Sequence, residues 1–306
     1  MNGMETLLET ALRTLPPVLL AGMGGMLANR IGILNLGLEG MMLTGSFVGV
    51  IASYYTGSAY AALLVAGLAS ALVGLLFALF TIRFKANPTV VGVAINMLVS
   101  GLTTYFLSVL FGVRGAFSDN RIMGLPKIDI PFLDKIPILR IFNNQNLTVW
   151  LALIFVVGLH YVFYHTSLGL RVRATGQFPM AVTTAGVNVK AIQYAALMFG
   201  GFLCGLGGAH LSLGQLSMFT DNMTSGRGFI ALAAAIFGKN TPLGTLLGAL
   251  LFSFTDAVTR KIQTTGFPSM LIDMIPYIVT VVTLWIVEMR AVAKRKMLLR
   301  VAGDKK

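Results

Sequence analysis

Four polar side chains lie within or beside long apolar stretches of this sequence, and they are its best candidates for chemistry: Asn35, Glu39, Asn96 and Asp273. A carboxylate or amide in such surroundings is costly unless it faces water, a partner group or a polar ligand. We therefore expect them to line or support a path for a polar solute. Two alternatives stay open, since Glu39 could stabilise a helix N-terminus and Asn96 could hydrogen-bond another helix.

Other candidates for chemistry are weaker. Asp256 has Arg260 one helical turn further on, a spacing that predicts a local ion pair. His160 and His165 have no acidic or cysteine partners nearby, and the single cysteine, Cys204, lies within an apolar stretch. No phosphate-binding loop of the form G-x-x-x-x-G-K-[ST] occurs. We expect no enzyme activity, metal site or cofactor in this chain, so that any ATP would be hydrolysed on another chain.

Long charge-free stretches indicate that these side chains belong to a membrane protein. Lys, Arg, Asp and Glu are absent between Glu39 and Arg83, and again from 86–113, 141–170 and 191–220. A membrane-spanning helix needs roughly 20 apolar residues, and the mean hydropathy of +0.81 agrees with such helices. We predict an all-α polytopic membrane protein of one domain, 1–306. The net charge of +12 then reflects basic loops and a basic tail, 289–306, rather than nucleic-acid binding.

The apolar stretches predict about nine membrane segments, some of them too short to cross alone. Residues 30–40 and 214–227 are rich in glycine and polar residues and predict interrupted half-helices, which are tolerated at membrane depth where protein or a water-filled cavity surrounds them. The predicted segments are 11–29, 38–55, 59–81, 88–111, 147–165, 190–213, 228–239, 242–259 and 268–288.

The basic residues predict how these segments are oriented. With the N-terminus outside, fourteen Lys and Arg fall in the inner loops and tail and nine fall outside. The positive-inside rule therefore predicts an external N-terminus and a cytoplasmic C-terminus. Residues 1–10 contain two Glu and no basic residue, so we expect no cleaved signal peptide. Residues 112–146 become an external loop, which we expect to be an ordered cap.

A short internal repeat suggests how the halves are related. Residues 75–77 (LLF) precede Pro88, and residues 250–252 (LLF) precede Pro268, each across a short basic turn. The predicted topology places the first turn inside and the second outside. We therefore expect inverted repeats at about 20–111 and 190–288, with a pathway between the halves.

The segment 169–188 (GLRVRATGQFPMAVTTAGVN) lies on the predicted inner side between two membrane segments. It begins with two arginines, and Gly176 and Pro179 flank a predicted helix start. Anchoring by the positive-inside rule is a sufficient explanation for at least one of the arginines, and an ordinary basic loop is the simplest interpretation of the composition.

The order of the residues in this segment resembles the coupling segment of permease subunits of ATP-binding cassette importers. The family is the one that serves ribose and other simple sugars, branched-chain amino acids and nucleosides. Residues 35–42 (NLGLEGMM) resemble its nucleoside-importing branch of the guanosine or purine type, and residues 228–249 resemble its late glycine-rich segment. The resemblance covers roughly residues 20–290.

This resemblance implies a pore subunit in a bacterial plasma membrane that hydrolyses nothing itself. It would pair with a second permease as a heterodimer, with a cytoplasmic ATPase that binds ATP and Mg, and with an external substrate-binding protein. A nucleoside is the first choice of substrate and a simple sugar the second. The residues implied in coupling to the ATPase are Arg171, Arg173, Gly176, Gln177, Pro179, Ala181, Ala185 and Gly186.

A transporter driven by an ion gradient is the alternative from another class. Such a protein ordinarily has several carboxylates within the membrane. Only Asp273 and Glu39 qualify here, and a coupling segment would be unnecessary.

Overall fold

The computed structural model describes residues 3–129 and 139–263, together with the single positions 274, 278, 279, 281, 282, 285 and 289. The described part is mainly helical. The helices are α1 Gly3–Arg30, α2 Leu38–Thr56, α3 Ala59–Ala78, α4 Pro88–Phe111, α5 Leu147–His165, α6 Ser167–Gln177, α7 Pro179–Thr184, α8 Val189–Ala209, α9 Arg227–Phe237 and α10 Pro242–Gln263. A π-helical turn, Leu79–Arg83, extends α3, and a second, His210–Leu216, extends α8.

Local sequence signals set the bounds of α4, which coincide with the prediction. Pro88 occupies the first turn, where a missing N–H costs nothing, and the side chain of Asn87 accepts a hydrogen bond from Thr89 N–H at 2.9 Å. Gly112 ends the helix with a φ of 66°, a conformation that glycine adopts without strain.

The predicted helical membrane fold is confirmed in that the described residues are mostly helical, whereas the count of nine segments and the inverted repeats stay predictions. Within the described residues, six helical stretches are long and apolar enough to span a membrane: 4–30, 59–83, 88–111, 147–165, 189–216 and 242–263. The helix α2 is largely buried against its neighbours, and α9 has 11 residues, too few to span alone. The predicted segment 268–288 lies, apart from isolated positions, outside the described residues.

Small residues let α3 and α8 pack closely in antiparallel orientation. A Cβ built on Gly205 would lie 2.6 Å from the carbonyl oxygen of Ala66, and one built on Gly74 would lie 2.7 Å from that of Leu197. Since 66 pairs with 205 and 74 with 197, the two helices run in opposite directions. Without a hydrophobic drive between helices in lipid, such close backbone packing is a main source of association.

The helix α1 runs antiparallel to both α8 and α10. As a result α1 and α3 run in one direction through the bundle, and α8 and α10 run in the other. The close approaches that show this are Pro17 to Gly207 and Gly24 to Gly200 on α8, and Thr14 to Ser253 and Gly22 to Thr245 on α10.

One end of the bundle collects the basic turns. The guanidinium of Arg30, at the end of α1, donates to the carbonyl oxygens of Lys239 and Asn240 in the turn before α10. The end of α3 and the start of α8 enclose a cavity lined by Ile82 and Lys190, among others. The helices α6 and α7 lie at this same end.

The opposite end carries two short antiparallel ribbons. One pairs β1, Ala116–Phe117, with β4, Phe219–Thr220, and the other pairs β2, Lys127–Ile128, with β3, Gln145–Asn146. The hydroxyl of Ser53 donates to the carbonyl oxygen of Met123 at 3.0 Å and accepts from the Met123 N–H at 2.8 Å. The described parts of 112–146 are thus hydrogen-bonded to the ends of the helices as an ordered cap.

Candidate functional site

The first interruption, residues 31–37, joins α1 to α2 and shapes one side of the site. Gly32 takes a φ of +80° directly after α1, which turns the chain. The side-chain oxygen of Asn35 accepts a hydrogen bond from Gly37 N–H at 2.8 Å. Asn35 is only 2% exposed. The structure places this predicted pathway residue beneath the surface, where it fixes the turn that starts α2.

Asn96 holds the interruption from α4. Its side-chain oxygen accepts from Gly40 N–H at 2.8 Å, and its amide nitrogen donates to the carbonyl oxygen of Leu36 at 2.9 Å. Gly40 belongs to the first turn of α2, where the N–H groups have no partner within the helix. Asn96 thus hydrogen-bonds another segment, as in the alternative from the sequence, and it also faces the cavity described below.

Glu39 connects the N-termini of two helices. It lies in the first turn of α2, and its carboxylate accepts hydrogen bonds from Gly226 N–H at 2.8 Å and Gly228 N–H at 2.6 Å, at the start of α9. The positive ends of both helix dipoles stabilise this charge. These contacts explain how a carboxylate that is 8% exposed is tolerated.

The second interruption, residues 217–226, precedes α9 and completes the site. Gly226, its last residue, takes a φ of +80° and exposes its N–H to Glu39. Asn222, with a φ of 52°, projects from this turn at the surface. The half-helices predicted at both interruptions are therefore present as helix starts that meet at Glu39.

A cavity of about 360 Å³ opens where these elements meet. Within the described residues, the side chains of Ser100 and Asn222 have no hydrogen-bond partner, so both can bind a polar solute. The cavity brings together two of the four predicted pathway residues, while Asn35 lies below it and Asp273 lies outside the described residues. Its lining residues are Glu39, Gly40, Leu43, Asn96, Met97, Ser100 and Asn222.

Sequence reasoning missed Ser100 and Asn222. The helix α4 carries polar residues every fourth position, at Asn96, Ser100, Thr104 and Ser108, and residues four apart lie on one face of a helix. That spacing could have identified Ser100. The hydroxyl of Thr104 donates to the Asp221 carboxylate at 3.2 Å, so the stripe follows α4 towards the second interruption. No local pattern identifies Asn222, because only tertiary packing brings it to the cavity.

The titratable side chains of the described residues form no cluster that could hold a metal ion. No cluster of three or more His, Cys, Asp or Glu side chains occurs there. The buried His210 has a structural role, since its Nε2–H donates to the carbonyl oxygen of Arg13 at 2.9 Å and its Nδ1 contacts the hydroxyl of Thr148. Asp256 makes the predicted ion pair with Arg260, at 3.0 Å.

The predicted coupling segment forms two helices, α6 and α7, rather than one. Pro179 starts α7, as predicted. Gly176 does not flank that start, because it lies in the last turn of α6 and contacts the end of α1. A Cβ there would overlap the carbonyl oxygen of Arg30. The small size of Gly176 therefore serves contact within this chain.

The outer face of α7 is exposed at the basic end of the bundle. Phe178 is 71% exposed and Met180 is 84% exposed, although large apolar side chains in such positions normally find cover. Neither residue has a role predicted from the sequence. Five of the predicted coupling residues share this exposed surface: Gln177, Pro179, Ala181, Ala185 and Gly186.

The two predicted coupling arginines differ in their surroundings. The guanidinium of Arg173 lies over the ring of Tyr164, 5.2 Å from its centroid, and its Nε donates to the carbonyl oxygen of Gly169 at 3.4 Å. Arg171 is exposed and has no such contact within the described residues. Arg171 is therefore the more available of the two to another molecule.

A helical membrane bundle with two interrupted helices around a polar cavity, and a rigid exposed helix pair at one end, has the architecture of a transport permease. A family model described as "Branched-chain amino acid transport system / permease component" matches residues 7–284. The chain belongs to this family.

Three characterised or assigned relatives are similar over most of their length. The guanosine ABC transporter permease protein NupQ of Bacillus subtilis is 36% identical over 284 residues, covering 88% of this chain and 87% of the relative. The nucleoside ABC transporter permease protein NupC of Lactococcus lactis is 32% identical, covering 96% of each chain. A protein of Haloferax volcanii assigned as a glucose ABC transporter permease, TsgC13, is 34% identical and covers 84% of this chain and 78% of the relative.

Proposed function

We propose that this chain forms half of the membrane pathway of an ATP-driven importer and that the solute is a nucleoside. The cavity beside Glu39 carries this proposal, because Ser100 and Asn222 offer free hydrogen-bonding groups there to the hydroxyls and ring atoms of a nucleoside. Similarity to NupQ and NupC supports the choice of substrate. The similarity to TsgC13 makes glucose the competitor to test.

The second half of the pathway would come from a second permease subunit, so that the working pore is a heterodimer. Three of the residues that line the cavity belong to α4, Asn96, Met97 and Ser100, and Met97 is highly exposed. Exposed apolar residues continue along that helix at Val93, Tyr105 and Val109. A second subunit seated beside α4 would close the cavity into a channel.

Two inverted repeats would build the pathway within this chain. An interruption precedes each of the buried helices α2 and α9, and a short turn joins each to a longer helix, α3 or α10. The opposite directions of α3 and α10 support an inverted relation between the two pairs. The basic end of the bundle would then be cytoplasmic, with the N-terminus outside, the C-terminus inside and the 112–146 cap facing an external substrate-binding protein.

The exposed pair α6 and α7 would dock on a separate ATPase, which would bind ATP and Mg. Contact between Gly176 and the end of α1 makes the pair a rigid extension of the bundle. A packed element moves as a unit, so closure of the ATPase would be transmitted to α1. Hydrolysis itself would occur outside this chain.

Uptake of labelled guanosine by cells that lack the chromosomal copy and carry plasmid variants tests the site. We expect Asn222→Ala and Ser100→Ala each to slow uptake about 2- to 10-fold, the effect of one hydrogen bond of about 0.5–1.5 kcal/mol. Asn120→Ala and Ser118→Ala make the same chemical changes outside the cavity, in the exposed cap, and should slow uptake less than the cavity variants do. Unchanged guanosine uptake in both cavity variants, or glucose uptake in place of guanosine uptake, would reject the proposal.

A further inference from the structure

A second cavity, of about 380 Å³, lies away from the polar site, between α1, α5, α6 and α8. Its floor is apolar and buried, formed by Leu27 and Phe163, and its rim is exposed, at Gly158, Leu168 and Phe199. The volume is in the range of ligand pockets, roughly 300–1,000 Å³. Such a groove on a membrane protein is open to the hydrocarbon chains around it.

One cation stands at the mouth of this groove. Arg171 is the single charged residue among those that line it in the described part of the chain. Its guanidinium has no hydrogen bond or ion pair there, unlike that of Arg173, which is held against Tyr164. An arginine in this state presents a planar set of donors that matches a phosphate group.

We propose that this groove binds one anionic phospholipid, with an acyl chain in the apolar cavity and the phosphate at Arg171. Charge and shape together select this occupant. The floor excludes polar ligands, while the free guanidinium at the basic end of the bundle favours an anionic headgroup over a zwitterionic one. Basic pockets between helices on the cytoplasmic side of a membrane suit such headgroups, and this step rests on the orientation proposed above. The bound lipid would hold α6 against α5 and α8.

The chain offers a direct way to fill the groove. A Cβ built on Gly158 has no heavy atom within 4 Å, so a larger side chain at this position can enter the cavity without displacing backbone. Gly101 on α4 is equally open and exposed, and it does not line the groove. Gly158→Trp and Gly101→Trp are therefore a matched pair. Arg171→Ala and the exposed Arg83→Ala form the second pair.

Native mass spectrometry of the full chain, purified in mild detergent and titrated with phosphatidylglycerol or phosphatidylcholine, tests the site. We expect the wild-type chain to retain one phosphatidylglycerol at least about tenfold more tightly than phosphatidylcholine, because the choline cation of the second lipid would repel the Arg171 guanidinium beside the phosphate. Arg171→Ala should remove this preference, and Gly158→Trp should remove the bound lipid. Gly101→Trp and Arg83→Ala should behave as wild type.

Three results would overturn the proposal. Wild-type retention of phosphatidylglycerol by Gly158→Trp would place the lipid elsewhere. Equal displacement of the lipid by glycerophosphoglycerol, which lacks acyl chains, would show that the groove contributes nothing. Loss of a copurifying protein subunit in Gly158→Trp, with lipid binding unchanged, would make the groove a protein interface.

Discussion

The carboxylate of Glu39 shows how one residue can satisfy two interpretations of the sequence. Position and composition predicted either a helix-terminal charge or a pathway residue. The hydrogen bonds to Gly226 and Gly228 show that it stabilises the N-terminus of α9. Its place in the cavity wall also makes it a candidate for the pathway. The partner glycines lie 187 and 189 residues further along the chain. No local pattern could have named them.

Glu39→Gln should destabilise the protein, because an amide has one acceptor oxygen for two backbone donors and turns an N–H₂ towards the other. A buried donor left without a partner costs about 1–3 kcal/mol. We expect a lower midpoint of thermal unfolding in detergent and slower guanosine uptake. Glu9→Gln is the control, since Glu9 makes an exposed ion pair with Arg13 at 3.4 Å, and exposed pairs contribute about 0–1 kcal/mol. Equal unfolding midpoints for the two variants would contradict the role given to Glu39.

At the scale of elements, the sequence predicted helices well and their contacts poorly. The bounds of α4 and α5 match the predicted segments because caps and apolar length are local signals. The segment 169–188 was identified as a unit, but its division into α6 and α7 and the contact of Gly176 with Arg30 depend on packing. The same applies to Asn222, which only the approach of the second interruption brings to the cavity.

Two bulky substitutions in this segment should have different consequences. Gly176→Leu should destabilise the chain, since overpacking a close contact typically costs about 1–3 kcal/mol. Ala185→Trp lies at an exposed position, so it should leave thermal unfolding unchanged while reducing both uptake and copurification of the ATPase about tenfold. Leu72→Trp, at an exposed position of α3, controls for bulk on a membrane helix. Normal uptake and ATPase association in Ala185→Trp would mean that this surface is not the coupling site.

At the scale of the whole molecule, orientation follows from charge and is consistent with the packing. The basic turns predicted to be inside lie at one end of the described bundle, and the 112–146 cap lies at the other. Charge bias can be counted from sequence alone, whereas the opposed directions of α3 and α10 emerge only from the contacts of each with its neighbours. The predicted segment 268–288 and Asp273 lie outside the described residues and stay predictions.

Single introduced cysteines can test the orientation, because the natural Cys204 is fully buried. Asn120→Cys in the cap should react with a membrane-impermeant maleimide in intact cells. Arg83→Cys, an exposed position at the opposite end, should react only after the membrane is permeabilised. The reverse pattern would invert the topology and remove α6 and α7 from the cytoplasm.

Guanosine uptake into proteoliposomes is the most direct test of the central claim, with the tagged chain reconstituted together with its copurifying permease, ATPase and external binding protein. We expect guanosine to accumulate only when ATP is supplied on the side of the membrane that carries the ATPase. Accumulation should stop in Ala185→Trp. A proton or sodium gradient alone should drive none. Accumulation driven by an ion gradient without ATP, and unaffected by Ala185→Trp, would contradict this claim and favour a secondary transporter.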